Sequence, residues 1–149
     1  MEAKNYDYTE YYFNGLEEEL LKTAIEDAEF VNHPLYSDVF VAEINKNLLP
    51  VEILEYIKDN GFELTQAGIV IAKRIPLHKH KDDGEIYYYG EGNAEVTVYS
   101  KNEQLEERIT LHKKNFSITQ KGQMHTLECK EKDEHGNTVP TTFLYAKFK

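Results

Sequence analysis

The chain has 149 residues, of which 40% are hydrophobic and 30% charged, and its formal net charge is −10. This length and hydrophobic content predict one folded domain whose core needs no disulfide or metal staple. The excess of acids disfavours nucleic acid as a partner, because phosphates bind basic surfaces, and no apolar run reaches the length of a membrane span. A single cysteine excludes an internal disulfide framework. Together with the absence of an apolar leader, it leads us to expect a soluble, cytoplasmic protein.

The N-terminal third of the sequence divides into an arm and a helical region. Residues 1–14 are polar and rich in tyrosine, and we expect a loose arm or a strand that pairs only with a partner. Over residues 15–30, apolar side chains recur at three- and four-residue steps with acids on the opposite side, which predicts an amphipathic helix. Pro34 ends it, because proline cannot continue the hydrogen-bond ladder. His33 is expected to be only a boundary residue.

The remaining sequence is predicted to be mostly β. A strand over 37–44 and a short helix over 49–60, stopped by Gly61, complete an N-terminal elaboration (15–61) that packs on a barrel (62–149). In the barrel region, short apolar runs alternate with turn residues, which is typical of an all-β sandwich or barrel. The predicted barrel strands cover residues 69–75, 85–90, 94–99, 107–111, 115–119, 124–129 and 141–148.

One group of residues is a candidate functional site. His78 and His80 lie two apart, so on a strand they point to the same face. A turn at Asp82-Asp83-Gly84 follows, and the next strand begins with Glu85, which can lie beside the two histidines. Imidazole nitrogen and carboxylate oxygen bind divalent first-row metals. The sequence therefore predicts a metal site, although each residue alone is more common as a solvated or hydrogen-bonded side chain.

The spacing of these residues resembles the first motif of the cupin superfamily, which is His-x-His, three or four residues, Glu, six residues and Gly. Here His78-x-His80 is followed after four residues by Glu85 and after six more by Gly92. The second cupin motif is Pro-x-Gly-x-x-His with a later Asn, and Gly122-x-x-His125 matches its central part. The order and separation of the two motifs strengthen the resemblance.

The sequence also departs from the cupin pattern at three positions. Gln120 replaces the proline of the second motif, Cys129 stands in place of its asparagine, and Ala72 stands where a glycine precedes the first histidine. The resemblance nevertheless implies an all-β barrel or double-stranded β-helix of the cupin, jelly-roll type, preceded here by one or two helices. It also implies one divalent transition metal (Fe, Mn, Ni or Zn) held by His78, His80, Glu85 and His125.

Strand alternation extends the prediction to the pocket around the metal. Tyr87 and Tyr89 share the face of Glu85, Gln123 shares the face of the third histidine, and Arg74 shares that of the histidine pair if Pro76 does not break the register. We predict catalytic roles for Tyr87 and Glu85, and substrate binding by Arg74, Tyr89 and Gln123. The alternatives are that the tyrosines belong to the core and that Arg74 forms an ordinary ion pair.

Two functions follow from the resemblance. The first is a metal-dependent enzyme acting on a small polar, oxygenated molecule such as a sugar or carboxylate, by isomerase- or epimerase-like or by dioxygenase- or decarboxylase-like chemistry. The second is a non-catalytic ligand-binding cupin with a structural or vestigial metal site. Nucleic acid and membrane partners are not expected. A homodimer is predicted, because an open sheet edge invites pairing and aromatic residues such as those of the arm are enriched at interfaces.

Overall fold

The structure is a computed structural model that describes residues 18–46, 49–113 and 115–149. The predicted tyrosine-rich arm and the start of the first predicted helix lie outside these residues. The described elements are α1 (Glu18–Asp27), β1 (Val31–Asn32), β2 (Val39–Glu43), α2 (Val51–Asp59), β3 (Leu64–Ala72), β4 (Arg74–Lys79), β5 (Gly84–Tyr88), β6 (Ala94–Tyr99), β7 (Leu105–Leu111), β8 (Phe116–Thr119), β9 (Met124–Cys129) and β10 (Thr141–Phe148).

The strands form two antiparallel sheets. The six-stranded sheet has the order β1-β2-β3-β10-β5-β8, and the four-stranded sheet has the order β4-β9-β6-β7. From β3 to β10 the chain crosses between the two sheets at every connection except that between β6 and β7. Two antiparallel sheets with two helices before most of the strands confirm the predicted jelly-roll class.

Each face of the six-stranded sheet has its own core. The inner face packs against the four-stranded sheet through residues such as Val70, Val96 and Leu127. The outer face is covered by α2, whose Ile53 and Ile57 are buried on one side of the helix. This three- and four-residue periodicity explains why the segment is helical, since only a helix brings these side chains to one stripe. The candidate site lies on the inner face.

Among the boundaries that differ from the prediction, three have a local reason. The helix α1 ends at Asp27, and the chain then pairs as β1 with β2, well before Pro34. The single strand predicted over 69–75 is divided at Lys73, where the chain passes from β3 in one sheet to β4 in the other. Tyr89, predicted as strand, has φ 56° at the corner between β5 and β6.

A close approach of backbone to side chain requires Gly68 on β3. A Cβ at this position would collide with the carbonyl oxygen of Ala42 and with the ring of Tyr145, which lies across it. Tyr145 is buried against the inner core. The absence of a side chain at Gly68 therefore makes room for the tyrosine ring that forms part of the candidate site.

Neither helix in the described part of the chain is long and apolar enough to cross a membrane.

Candidate metal centre

Four side chains from both sheets converge at one end of the inner core. His78 on β4 and His125 on β9 lie directly opposite each other in the four-stranded sheet. His80 follows at the end of β4, and Glu85 projects from β5 of the six-stranded sheet. One ligand atom from each of the four lies within 4.8 Å of the others. The structure thus brings together all four ligands expected from the resemblance.

Hydrogen bonds to Glu85 hold the cluster together. Its Oε1 lies 3.1 Å from Nε2 of His80 and 3.3 Å from Nε2 of His125. Burial by itself raises the pKa of Glu85, but the hydrogen bonds from His125 and His80 outweigh it and hold this pKa well below its usual range. The buried carboxyl group is therefore ionised at neutral pH, as a metal ligand must be.

His78 is oriented by the backbone of its own strand. Its Nδ1 lies 2.8 Å from the carbonyl oxygen of Pro76, which can only accept, so Nδ1 carries the proton. The lone pair is then on Nε2, which is the arrangement that metal-binding histidines adopt when a second group fixes their tautomer. Burial and the nearby His125 lower the pKa of His78 to about 4, so the ring stays neutral at neutral pH.

The donor set fits a divalent first-row transition metal. Three imidazole nitrogens and one carboxylate oxygen form a set that such ions bind with positions to spare for a further ligand. His125 is completely buried, and its Nδ1 has no hydrogen-bond partner in the described part of the chain. A buried polar atom without a partner costs about 1–3 kcal/mol. This cost is more easily explained by a functional site than by a site kept for stability.

The cluster opens into a cavity of about 240 Å³ between the two sheets. His78, His80 and Glu85 line one side of it, together with Tyr87. The hydroxyl of Tyr87 lies 3.2 Å from Nε2 of His125. Burial and the charge of Glu85 raise the pKa of Tyr87 well above its ordinary value, so the hydroxyl keeps its proton. Tyr87 therefore lies where strand alternation predicted, beside Glu85.

The other three predicted pocket residues do not line this cavity. For Tyr89 the expected position is wrong, because its positive φ ends the two-residue alternation of β5. Its ring lies instead in a different groove, 5.5 Å from Nζ of Lys113. The side chain of Gln123 is hydrogen-bonded outside the cavity. It accepts a hydrogen bond from the backbone N–H of Gln120 at 2.7 Å and donates one to Glu106 at 2.6 Å.

Arg74 is exposed and points away from the cavity, because β4 contains one extra residue. Ile75 lies opposite Leu127 and His78 lies opposite His125, so three steps on β4 match two steps on β9. Such a bulge reverses the alternation upstream of it. Ile75 consequently shares the face of His78 and lines the cavity, whereas alternation from the histidine pair had placed Arg74 there.

Residues from β1–β2, β3 and β10 supply the rest of the cavity wall, and the sequence alone did not identify them. These residues include His33, Tyr36, Gln66, Tyr145 and Lys147. His33, expected to be a boundary residue, stacks on Tyr36 with ring centroids 4.8 Å apart. Tyr145 and Lys147 show alternation along β10, but which face lies inward is set by pairing with β5, where they lie opposite Tyr87 and Glu85. That pairing is a long-range contact with no local signal.

The ligand assignment predicts which histidines control metal content. In His80→Ala and Glu85→Ala, the loss of one of four ligands should lower metal affinity by more than about tenfold, since even a group that only orients a ligand contributes that much. The fold should persist, because the two cores do not depend on the ion. Metal per protein is measured by elemental analysis, and folding by circular dichroism.

His112→Ala and His135→Ala are the controls for this experiment. His135 is in an exposed loop, away from the cluster, and His112 is not among the four clustered residues. Both variants should retain the metal of the wild-type protein. Full metal content in His80→Ala or Glu85→Ala, or its loss in either control, would contradict the assignment.

The low pKa of His78 predicts a pH dependence of stability in metal-stripped protein. His78 has a pKa of about 4 in the folded chain, against 6.5 when unfolded, so the unfolded state binds more protons between these values. The free energy of unfolding should therefore be highest above pH 6.5 and fall as the pH is lowered toward 4. His78→Asn should flatten this fall in urea titrations, and His135→Asn should leave it unchanged. An identical slope in wild type and His78→Asn would show that His78 is not responsible.

Comparison with solved structures identifies the fold. The Lactobacillus farciminis oxalate decarboxylase in its formate complex matches with a TM-score of 0.53 and 17% identity over 83% of this chain, which spans only 31% of that one. The Schizosaccharomyces pombe Cnp3 cupin domain matches with a TM-score of 0.50 and 15% identity, covering 83% of this chain and 69% of that one. Drosophila melanogaster CENP-C bound to CAL1 matches with a TM-score of 0.53 and 10% identity, covering 83% and 77%.

Comparisons of the sequence with protein-family models and with curated proteins find no match. At 10–17% identity, likeness to solved structures establishes the fold and leaves the activity open. The two sheets, their order and the His-x-His, Glu and His cluster agree with the resemblance found in the sequence. The chain thus has a cupin-type fold with a candidate metal site.

Proposed function

We propose that the protein is a metal-dependent enzyme that acts on a small polar, oxygenated molecule, either a sugar or a carboxylate. The observation that supports this proposal is the opening of the four-residue cluster into a cavity of about 240 Å³. A structural metal site has no need of an adjoining cavity, whereas a catalytic site keeps room for a further ligand. The reaction is proposed to be isomerase- or epimerase-like, or dioxygenase- or decarboxylase-like.

The cofactor in this proposal is one divalent transition metal: Fe, Mn, Ni or Zn. His78, His80, Glu85 and His125 would hold it. Such an ion supplies Lewis acidity to an oxygen of a bound molecule. Glu85 serves as a ligand and a fixed negative charge, because a carboxyl group whose pKa is this low is a weak base.

Tyr87 is the proposed hydrogen-bond donor to the substrate. Its pKa lies well above the ordinary value, so the hydroxyl keeps its proton at neutral pH and can donate a hydrogen bond to a substrate oxygen that gains negative charge. The hydroxyl lies 3.2 Å from His125 and faces the cavity beside the metal ligands. A substrate oxygen at the cluster would therefore lie within reach of it.

The alternative is a non-catalytic, ligand-binding cupin with a structural or vestigial metal site. One observation favours it: Glu85 already receives hydrogen bonds from His80 and His125, so the cluster is partly satisfied by its own side chains. The two proposals differ in turnover. An enzyme loses turnover with its metal, whereas a binding protein binds its ligand without converting it.

Replacement of Tyr87 tests the catalytic role. A stability screen against a metabolite pool first identifies ligands, because a bound ligand raises the melting temperature by mass action. Tyr87→Phe should then lower kcat on a responsive substrate about 10²-fold or more, the usual effect of losing a hydrogen-bond donor to a developing negative charge, with metal content unchanged. Tyr88→Phe is the matched control, since Tyr88 precedes the corner on the same strand but packs in the outer core.

Removal of the metal by a chelator should abolish turnover, and adding it back should restore it. Unchanged turnover in metal-stripped protein would contradict the proposed role of the metal. Ligands that stabilise the metal-loaded protein without being converted would favour the alternative.

We also propose that the protein is a homodimer, in which the arm (1–14) or the helix over 15–30 packs on the partner barrel or covers its own cavity. Exposed apolar side chains near the β1 edge of the six-stranded sheet support this proposal: Val31 on the edge strand β1 is 62% exposed, and Phe40 on the neighbouring strand β2 is 41% exposed. Light scattering should give the mass of a dimer for the full chain and of a monomer after residues 1–13 are deleted. A monomeric full chain would contradict the proposal, and an unchanged dimer would exclude the arm from the interface.

The net charge of −10 and the single cysteine support a cytoplasmic protein whose partners are small molecules, with neither nucleic acid nor a membrane among them.

A further inference from the structure

The cavity has a second polar side that faces the metal cluster. On β10, Lys147 lies directly opposite Glu85 of β5 on one side and Gln66 of β3 on the other. Residues opposite each other in antiparallel strands project to the same face of the sheet. Lys147, Gln66 and Tyr145 accordingly line the same cavity as the cluster.

The ammonium group of Lys147 is a cation without a matching anion. Within the described ranges it forms no ion pair with a carboxylate, and its Nζ lies over the ring of Tyr145, 6.0 Å from the ring centroid. Glu85, across the strands, is already hydrogen-bonded to two histidines. By contrast, Lys149, two residues further on, does form an ion pair: its Nζ lies 3.9 Å from Oδ1 of Asp83. A half-buried cation that lines a cavity is a binding group for an anion.

Two hydrogen-bonding groups adjoin this cation. Gln66 donates its Nε2 hydrogen to the hydroxyl oxygen of Tyr145 at 2.9 Å. This bond uses the oxygen of Tyr145 as acceptor and leaves its O–H free to donate. Burial and the charge of Glu85 raise the pKa of Tyr145 to about 12, so the proton is present at neutral pH. A cation and an O–H donor next to each other match the two oxygens of a carboxylate.

Size and charge restrict the ligand further. The cavity of about 240 Å³ is smaller than the ~300–1,000 Å³ of sites for drug-sized ligands, so a nucleotide or coenzyme is too large. A phosphate monoester carries about −1.5 to −2 charges at neutral pH, which the single positive charge of Lys147 balances only in part. A carboxylate, with one negative charge, is balanced by Lys147 alone.

We propose that Lys147, assisted by Tyr145, is the anchor for the carboxylate of a small hydroxy or oxo acid whose other oxygens face the metal cluster. The inference rests on the proposed function, since it gives that site its substrate class. It divides the cavity into a carboxylate end on β3 and β10 and a metal end on β4, β5 and β9.

Calorimetric titration of the full chain tests this assignment. The probes are glycerate, tartrate and galacturonate, each compared with its neutral counterpart: glycerol, threitol and galactose. At least one acid should bind the wild-type protein more than about tenfold more tightly than its counterpart, because a hydrogen bond to a charged group contributes about 1.5–3 kcal/mol. Lys147→Met should remove this preference, and Lys147→Arg, which keeps the charge, should retain most of it. Lys149→Met is the matched control and should bind as wild type does.

Several results would overturn the inference. These are no preference for any acid in the wild type, an unchanged preference in Lys147→Met, and tighter binding of glycerol 3-phosphate than of glycerate. Repeating the titrations on metal-stripped protein separates this inference from the proposed function. Lys147-dependent binding of an acid, together with turnover that is unchanged after the metal is stripped, would support the anchor and contradict the proposed role of the metal. Full metal content, together with binding that does not change when Lys147 is replaced, would contradict the anchor and leave the proposed metal enzyme standing.

Discussion

The buried carboxylate of Glu85 is the group on which the arrangement of the inner core depends. A buried charge costs several kcal/mol unless it is paired and hydrogen-bonded. Its partners, His80 and His125, come from the end of β4 and from β9, in the opposite layer. The pairing requirement thus joins the two sheets at one end by polar contacts, while apolar side chains join them elsewhere. The same contacts bring the atoms of the candidate metal site together.

The cupin-type fold and most of the candidate metal site were predictable because their signals are local. His78 and His80 lie at the end of β4 and Glu85 follows after one short turn, so these three residues share one short segment, whereas the place of His125 was expected only from the resemblance to cupins. The outer helix was predictable for the same reason, since periodicity is a property of a short segment. The side of the cavity opposite the histidine and glutamate cluster was not predictable. Tyr145 and Lys147 enter it through the pairing of β10 with β5 and β3, which the sequence does not encode within any window.

The two cores give the molecule separate parts for stability and chemistry. The outer core, under α2, contains apolar residues such as Ile53, Tyr88 and Phe148, with none of the clustered ligands. At one end of the inner core, the polar cluster, the cavity and the unpartnered Nδ1 of His125 take the place of apolar packing. Substitutions that change side-chain volume under α2 should therefore displace mainly residues on the outer side of the six-stranded sheet.

The bulge in β4 has a consequence for how related chains are aligned. One residue between Ile75 and His78 is surplus to the pairing with β9. A chain without that residue would keep Ile75 and the histidine pair on the same face and opposite the same partners, in a regular strand. The number of residues between the core and the first histidine is thus free to vary by one at no cost to the site. Alignments that forbid a gap there would exchange inward and outward positions, and would assign to the cavity side chains that lie in solvent.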